Sequence, residues 1–404
     1  MRVYIVGVGT GSLDELTSRA RKTVESSDII IGAKRLLKVF SHTNILSVEA
    51  YLGSDVVRAI KENNSLAKVV ILVSGDVGFF SATKNILTKL NCDVELIPGI
   101  SSLAYMSSKI SLSWDDMNIV SLHGRDKSII GNIMKNKKTF ILTDKVNNVG
   151  TICRKLYDAG FRDLKVHVGE NLSYDNEKIT TGSINKLMNN DFAPLSVMVV
   201  ENSNTVDMNI STGGIMDCDF VRGDAPMTKS EVRRISISKL NLLEDDIIYD
   251  IGAGTGSVAI EMALTALNGE VYAVEKNPKS VELININRSK FLAYNLKVIK
   301  GTAPEVLDKL PPPDKVFIGG SSGNMDEIIE AVLKKNPLVK VVVNAITLET
   351  VSCVLSCFKK FKLTDVDIVQ VNVSKAKSVG GFNMMMGQNP VYIFTGKGEG
   401  LWEE

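Results

Sequence analysis

Apolar runs and amphipathic stretches alternate along almost the whole chain. In the first hundred residues, strand-like runs at 2-RVYIVGVG-9, 28-DIIIG-32, 68-KVVILVSG-75 and 93-DVELIPG-99 are separated by helical patterns such as 14-DELTSRARKTVES-26. Unbroken apolar runs with helices between them predict a parallel sheet covered on both faces. From about Asp116 to Glu201 the runs 117-MNIVSLHG-124, 138-KTFILTD-144, 164-LKVHVGEN-171, 177-EKITTGS-183 and 195-LSVMVVEN-202 follow one another more closely, which predicts a second lobe of mixed strand direction. The segment 202-NSNTVDMNISTGGIMDCDFVRGDAP-226 is polar and without a period, so it marks a domain boundary. The pattern then restarts with a helix at 228-TKSEVRRISISKLN-241. The strands 246-DIIYDIG-252, 270-EVYAVEK-276, 296-LKVIKG-301, 314-DKVFIGG-320, 338-LVKVVVNA-345, 364-TDVDIVQVNV-373 and 390-PVYIFTG-396 follow it. Five of these alternate with helices and the last two do not, which predicts an open seven-stranded sheet ending in an antiparallel pair. The fold class is α/β, with domains 1–208 (lobes about 1–113 and 114–202) and 209–404.

Bulk properties narrow the function. At 404 residues the chain is too long for one ordinary core. Lys+Arg number 47 and Asp+Glu 46, so there is no basic excess of the kind that nucleic-acid binding uses. The five cysteines form no Cys-x-x-Cys and the three histidines are far apart, which argues against a zinc site. Cys353 and Cys357 read as small core residues in a reducing compartment. No signal peptide is evident and no apolar run approaches the roughly 20 residues of a membrane span, so the expectation is a cytoplasmic protein.

The chemistry gathers at two glycine turns. In 249-YDIGAGTGSVAIEMA-263 a buried strand leads through Gly252, Gly254 and Gly256 into a helix. Glycines let a ligand approach the backbone, and the helix start offers free N–H groups. Serine at 257 makes this Gly-x-Gly-x-Gly rather than the dinucleotide pattern Gly-x-Gly-x-x-Gly. Asp250 ends the strand, where its carboxylate accepts a bond from a cationic amino group or through water. Glu275 ends the next strand, where a carboxylate takes the hydroxyls of a ribose. Thr302 and Ala303 follow the third strand and can edge an adenine. Ribose, adenine and an amino acid without a phosphate fit S-adenosylmethionine better than NAD. The bland alternative is a tight structural turn.

Residues about 215–396 resemble the decarboxylating cobalt-precorrin C15-methyltransferases of cobalamin synthesis, through 222-RGDAPMTKSEVR-233, 249-YDIGAGTGSVAIE-261, 317-FIGGSSGNMDEI-328, 344-NAITLETV-351 and 380-GGFNMMMGQNPVYIFTG-396. The resemblance implies a Rossmann-like class I methyltransferase domain. Thr228, Asp250, Gly252, Ala253, Gly254, Thr255, Gly256, Glu275, Thr302 and Ala303 would line the methyl donor there, with Gly319 and Gly320 toward the substrate.

The first turn, 3-VYIVGVGTGSLDEL-16, has Gly7, Gly9 and Gly11, but no acidic residue ends the strand 28-DIIIGAKR-35. A ribose carboxylate of the open-sheet design is missing, so the site differs. Two further turns, 73-VSGDVGFFS-81 and 97-IPGISSLAY-105, stand at the carboxyl ends of strands, where ligands of parallel sheets bind. With 122-LHGR-125 and 142-LTDK-145 they resemble the tetrapyrrole methylase family over about residues 1–202. Within it the match is closest to the C5-methyltransferases of cobalamin synthesis, Val77 replacing a common proline. That resemblance implies a two-lobed fold with the donor surrounded by Gly7, Gly9, Gly11, Ser74, Gly75, Asp76, Gly78, Phe79, Pro98, Gly99, Ser101 and Ser102.

Together the resemblances imply two S-adenosylmethionine sites on one chain, each methylating a different carbon of one tetrapyrrole (a precorrin or cobalt-precorrin), with no metal of the protein's own, no nucleic-acid or membrane partner, and self-association. A methyl sulfonium is already activated, so alignment and water exclusion matter more than a catalytic base, and no catalytic residue is assigned. The substrate's carboxylates call for basic residues. Arg125, Arg222, Lys229, Arg233, Lys375 and Lys377 are candidates, each set against an ordinary solvated charge. Met384–Met386 read either as an apolar wall for the macrocycle or as core filling. The competing readings are one half acting on a different substrate, an RNA or protein methyltransferase, and a dinucleotide-binding regulatory or redox protein.

Overall fold

The computed structural model describes residues 1–122, 128–206, 214–223 and 225–400. The chain divides into two compact units, one holding residues 1–126, 136–157 and 162–203 and the other 127–135, 158–161 and 204–404.

The first unit opens with strands β1 (Arg2–Gly7), β2 (Ile29–Gly32), β3 (Leu46–Glu49), β4 (Lys68–Val73) and β5 (Val94–Ile97). They form one sheet in the order β3-β2-β4-β1-β5, with every pair parallel. Two buried clusters lie against it, one around Ile5, Ile31 and Ile71 and the other around Val6, Ile30 and Leu72. Alternate residues of the same strands feed the two clusters, which is why the apolar runs are unbroken. Strand β3 is absent from the sequence reading because it is a short edge strand, 46-LSVE-49, with three exposed residues and no apolar run to mark it.

The second lobe of this unit holds β6 (Asn118–Ser121), β7 (Lys138–Leu142), β8 (Leu164–Glu170), β9 (Lys178–Ser183) and β10 (Ser196–Asn202), in the order β6-β7-β10-β8-β9. Only β6 and β7 pair in parallel; the other neighbours are antiparallel. The expected mixed direction is observed.

The second unit carries the expected seven-stranded sheet. Its strands are β11 (Ile247–Ile251), β12 (Glu270–Glu275), β13 (Leu296–Lys300), β14 (Lys315–Ile318), β15 (Lys340–Ala345), β16 (Thr364–Val371) and, after a hairpin, β19 (Val391–Lys397). The order is β13-β12-β11-β14-β15-β19-β16. Strand β19 inserts antiparallel between β15 and β16, so the antiparallel pair closes the edge. The order reverses between β11 and β14, the place where open parallel sheets bind ligands.

The hairpin, β17 (Ser374–Val379) and β18 (Phe382–Gly387), is a feature the sequence reading missed. Gly380 and Gly381 both have positive φ, 54° and 86°, as a two-residue turn of type I′ requires. The hairpin also settles Met384–Met386. All three are exposed, as are Val379 and Phe382, the last by 79%. They fill no core. Of the cysteine pair, Cys357 is buried as expected but Cys353 is exposed.

Among the described residues, Arg233 is the one substrate-binding candidate in the deep interior. It is fully buried. Its Nε donates to Glu261 Oε1 at 2.7 Å and its Nη1 to Asp217 Oδ1 at 3.1 Å and to the Thr228 carbonyl at 2.7 Å. Nη2 donates to the Ile215 carbonyl, and Phe220 stacks at 5.0 Å. Arg233 therefore pins the segment before the helix Ser230–Leu240 and has no face left for a substrate. Replacing it would strand two carboxylates in the interior. Arg233→Met should lower the stability of the second unit by about 3–5 kcal/mol, read as a lower urea midpoint for that unit's unfolding transition.

Candidate functional site

In the second unit a cavity of about 1460 Å³ opens at the carboxyl ends of β11, β12 and β14. It is built from close backbone approaches. Gly252 has φ of 75°, and a Cβ there would lie 2.6 Å from the Gly320 carbonyl oxygen. A Cβ on Gly254 would lie 2.9 Å from the Pro226 carbonyl, and one on Gly256 would press on Ile284. Gly252 brings the turn after β11 against the turn after β14, Gly254 brings it against the segment at Pro226, and the helix Ser257–Thr265 starts at the cavity wall.

Nearly every residue expected to line the donor in this half does line the cavity: Thr228, Asp250, Gly252, Ala253, Gly254, Thr255, Glu275, Thr302 and Ala303. Gly319 and Gly320 line it too. Gly256 does not, because its small size serves the contact with Ile284. Arg222 is exposed beside the lining residue Gly223 without lining the cavity itself. Lys229 is in the lining. Lys375 instead pairs with Glu231 at 3.0 Å, and neither it nor Lys377 reaches the cavity. The sequence reading missed Lys276 and Lys279, two cations directly after Glu275, and the wall from Asn344 to Thr347 with Gln388 and Asn389. Position supplied a signal for the lysines; only the return of β19 beside β15 brings in the last two.

Two carboxylates set the electrostatics. Glu275 is already oriented: Oε2 accepts from the Gly254 amide and Oε1 from the Asn277 amide, both at 2.8 Å. Each oxygen keeps a further lone pair for a ligand hydroxyl. Asp250 differs. It is buried, and neither oxygen completes a hydrogen bond among the described residues. Burial pushes its pKa up to about 7; the Ala259 amide pulls the other way and the Glu275 charge adds to the rise. A buried carboxylate without a partner is costly, and a cation beside it would relieve that cost.

In the first unit β1 lies between β4 and β5, so their three turns are adjacent. Gly9 and Gly75 exchange amide bonds, N to O at 3.2 and 2.7 Å. A Cβ on Gly7 would lie 2.6 Å from the Gly75 carbonyl and 2.8 Å from the Gly99 amide nitrogen. Asp76 ties the second turn to the third, accepting from the amides of Gly78 at 2.8 Å and Gly99 at 3.1 Å. The Ser101 hydroxyl caps the helix Ser102–Lys109 by accepting from the Ala104 amide. Ser74 and Gly78 stand in the same turn cluster and Pro98 is exposed at its edge. Phe79 points elsewhere: it meets Phe140 edge-on at 6.0 Å and packs on the second lobe's core. Gly11 is buried, and a Cβ there would overlap the Tyr174 ring. Arg125 lies outside the described residues. Among the described residues no cluster of His, Cys, Asp and Glu is arranged to hold a metal, and no helix is long and apolar enough to cross a membrane.

Comparison with known proteins places this geometry. Residues 2–188 match the model of the tetrapyrrole (corrin/porphyrin) methylases, and residues 219–397 match that of the precorrin methyltransferase domain. Over 401 residues the chain is 26% identical to precorrin-6Y C(5,15)-methyltransferase (decarboxylating) of Sinorhizobium sp, covering 97% of this chain and 94% of that one. A "Probable cobalt-precorrin-6B C(15)-methyltransferase (decarboxylating)" of Saccharolobus solfataricus is 36% identical over 48% of this chain and 99% of its own length. A "Probable cobalt-precorrin-7 C(5)-methyltransferase" of Methanocaldococcus jannaschii is 36% identical over 49% of this chain and 97% of its own length.

The raised pKa of Asp250 sets a pH dependence. The folded state favours the protonated acid, so its contribution is intact below the ordinary carboxylate pKa of about 4 and is lost as pH rises through about 7. Asp250→Asn removes that loss. Denaturant unfolding of the second unit should show the variant gaining on the parent between pH 5 and pH 8, whereas equal slopes would mean Asp250 stays ionised throughout.

Proposed function

We propose a function that proceeds from family membership: the chain belongs to the tetrapyrrole (corrin/porphyrin) methylases through its first half and to the precorrin methyltransferases through its second. It is a bifunctional S-adenosylmethionine-dependent methyltransferase of cobalamin biosynthesis. One domain, 1–208, methylates a precorrin or cobalt-precorrin at C5. The other, 209–404, methylates C15 and releases the carboxyl group of the ring C acetate as CO₂, leaving a methyl group on the ring. Each domain holds its own donor site.

The observation that carries the reading is Asp250. An unpartnered, buried carboxylate faces a large cavity beside a glycine turn and an oriented second carboxylate. That donor set fits a cationic amino acid joined to a ribose and makes no provision for a pyrophosphate. When bound, S-adenosylmethionine supplies a methyl group on a sulfonium leaving group. Asp250 would hold the ammonium of the donor as a carboxylate, its proton released to solvent. Glu275 would hold the ribose hydroxyls with lone pairs its two amide bonds leave open. Ala303, only 3% exposed, leaves room for the adenine that a larger side chain would fill. Lys229, Lys276 and Lys279 line the cavity and attract the carboxylates of the macrocycle. Leu283, with the exposed Ile286 and Ile346, gives the cavity apolar lining that a bound macrocycle would cover, excluding water from the reacting carbon. No general base is required of the chain, because the reduced macrocycle is itself electron-rich.

The protein works in the cytoplasm, which suits its five free cysteines. It binds no nucleic acid, in keeping with a formal net charge of +1. It self-associates, and the surface that favours this is one face of the hairpin β17–β18, where Val379, Phe382, Met384 and Met386 stand exposed together. Phe382→Asp combined with Met384→Asp should lower the mass measured by sedimentation and leave donor affinity unchanged. An unchanged mass would remove the hairpin from the interface.

The test of the function is incubation with the donor and the corrin intermediate, followed by mass spectrometry. Two methyl groups gained and one CO₂ lost are expected. Glu275→Ala should slow the C15 step by about 10²-fold or more while the C5 methyl is still added. Full C15 methylation in that variant would move the donor site elsewhere.

A further inference from the structure

We propose that the segment Asn171–Glu177 is a clasp from the second lobe that sets the geometry of the first domain's donor turns, with Tyr174 and Glu177 as its positioning residues. The proposal rests on the reading of that domain as a donor site.

The segment follows β8 and is tightly folded. Asn171 and Ser173 have positive φ, 47° and 66°, a conformation that side-chain-bearing residues rarely adopt. The Tyr174 amide donates to the Asn171 carbonyl at 3.0 Å and the Glu177 amide to the Tyr174 carbonyl at 2.8 Å. Such a backbone persists only where its surroundings over-determine it, and here they do so at two points.

The first point is the turn after β1. Gly11 has φ of 134° and no side chain, and the Tyr174 ring fills the space a Cβ would take. The Ser12 amide donates to Ser173 Oγ at 3.1 Å, and Arg35 Nη1 donates to the Tyr174 hydroxyl at 3.4 Å. The second point is the helix Ser102–Lys109, which starts from the turn after β5. Glu177 Oε2 accepts from the Tyr105 hydroxyl at 2.7 Å and from the Ser173 amide at 2.7 Å. Its Oε1 meets Lys109 Nζ at 2.8 Å. One short segment thus grips one donor turn and the helix that starts from another, and so fixes their spacing. The third glycine of the first motif owes its identity to this ring and is covered by it. A donor in this cleft depends on residues more than 160 positions away in the chain.

The experiment uses the full chain carrying Glu275→Ala, so that the donor bound is that of the first domain, with S-adenosylhomocysteine as the calorimetric probe. The parent should bind about one equivalent. Adding Tyr174→Ala or Glu177→Ala should weaken that binding by about tenfold or more, whereas Tyr174→Phe, which keeps the ring in place, should stay within about threefold. In C5 methylation by the chain with Glu275 intact, Tyr174→Ala should raise KM for the donor more than it lowers kcat, a split that general loosening of the fold does not produce. Unchanged affinity in both alanine variants overturns the clasp, as does a loss of thermal stability with KM intact. If the Glu275→Ala parent binds no donor at all, the donor reading of the first domain fails and the clasp falls with it.

Discussion

Backbone approaching backbone more closely than any side chain permits is the constraint on which both halves depend. In the first unit the ends of β1, β4 and β5 meet at Gly7, Gly75 and Gly99, and a methyl added to Gly7 or Gly99 would collide with main-chain atoms, the Gly75 carbonyl among them. In the second, the turn after β11 meets the turn after β14 at Gly252 and Gly320. Neighbouring parallel strands must end together for this to occur, and both sheet orders provide it. What results in the second unit is a rigid rim around a space large enough for a nucleoside-like ligand. Flexible side chains at these positions would leave the same strands in place and close the rim.

The acidic residues of the two turns are used differently. Asp76 accepts one amide on each oxygen, from Gly78 and Gly99, and so holds two turns together. Asp250, in the cavity lining, has no such bonds, and burial raises its pKa. Thr255 Oγ1 and Asn344 Nδ2, which line the same cavity, also lack a hydrogen-bond partner among the described residues, whereas Arg233 is bonded at each of its nitrogens. A buried carboxylate without a partner is the costliest of such groups and marks a place where a ligand, not the fold, supplies the partner. The turns of the two units thus rest on different electrostatics, one on a carboxylate bonded to backbone amides and one on a carboxylate without a partner.

Much of this was legible in the sequence because the signals are local. Unbroken apolar runs identify β1, β4 and β11, and the residues directly after a parallel strand reach the ligand end. Asp250, Glu275 and Ala303 were found that way. What escaped was set by distance along the chain or by weak pattern. Arg233 looks like a polar position of an amphipathic helix, and nothing local shows that Asp217 and Glu261 fold onto it. Gly11 reads as a ligand glycine, whereas Tyr174 occupies its free side. Phe79 sits in a ligand-like turn yet belongs to the core with Phe140. The hairpin β17–β18 carried its signal in Gly380 and Gly381, but a run of methionines reads as interior before it reads as an exposed strand.

The central claim is that two unrelated folds each present one pocket for the same sulfonium donor. Its most direct test is the stoichiometry of S-adenosylhomocysteine on the unmodified full chain, measured by calorimetry at pH 8, where Asp250 is ionised. The account predicts two equivalents per chain. A single equivalent, at saturating concentration and with the chain fully folded, would contradict it.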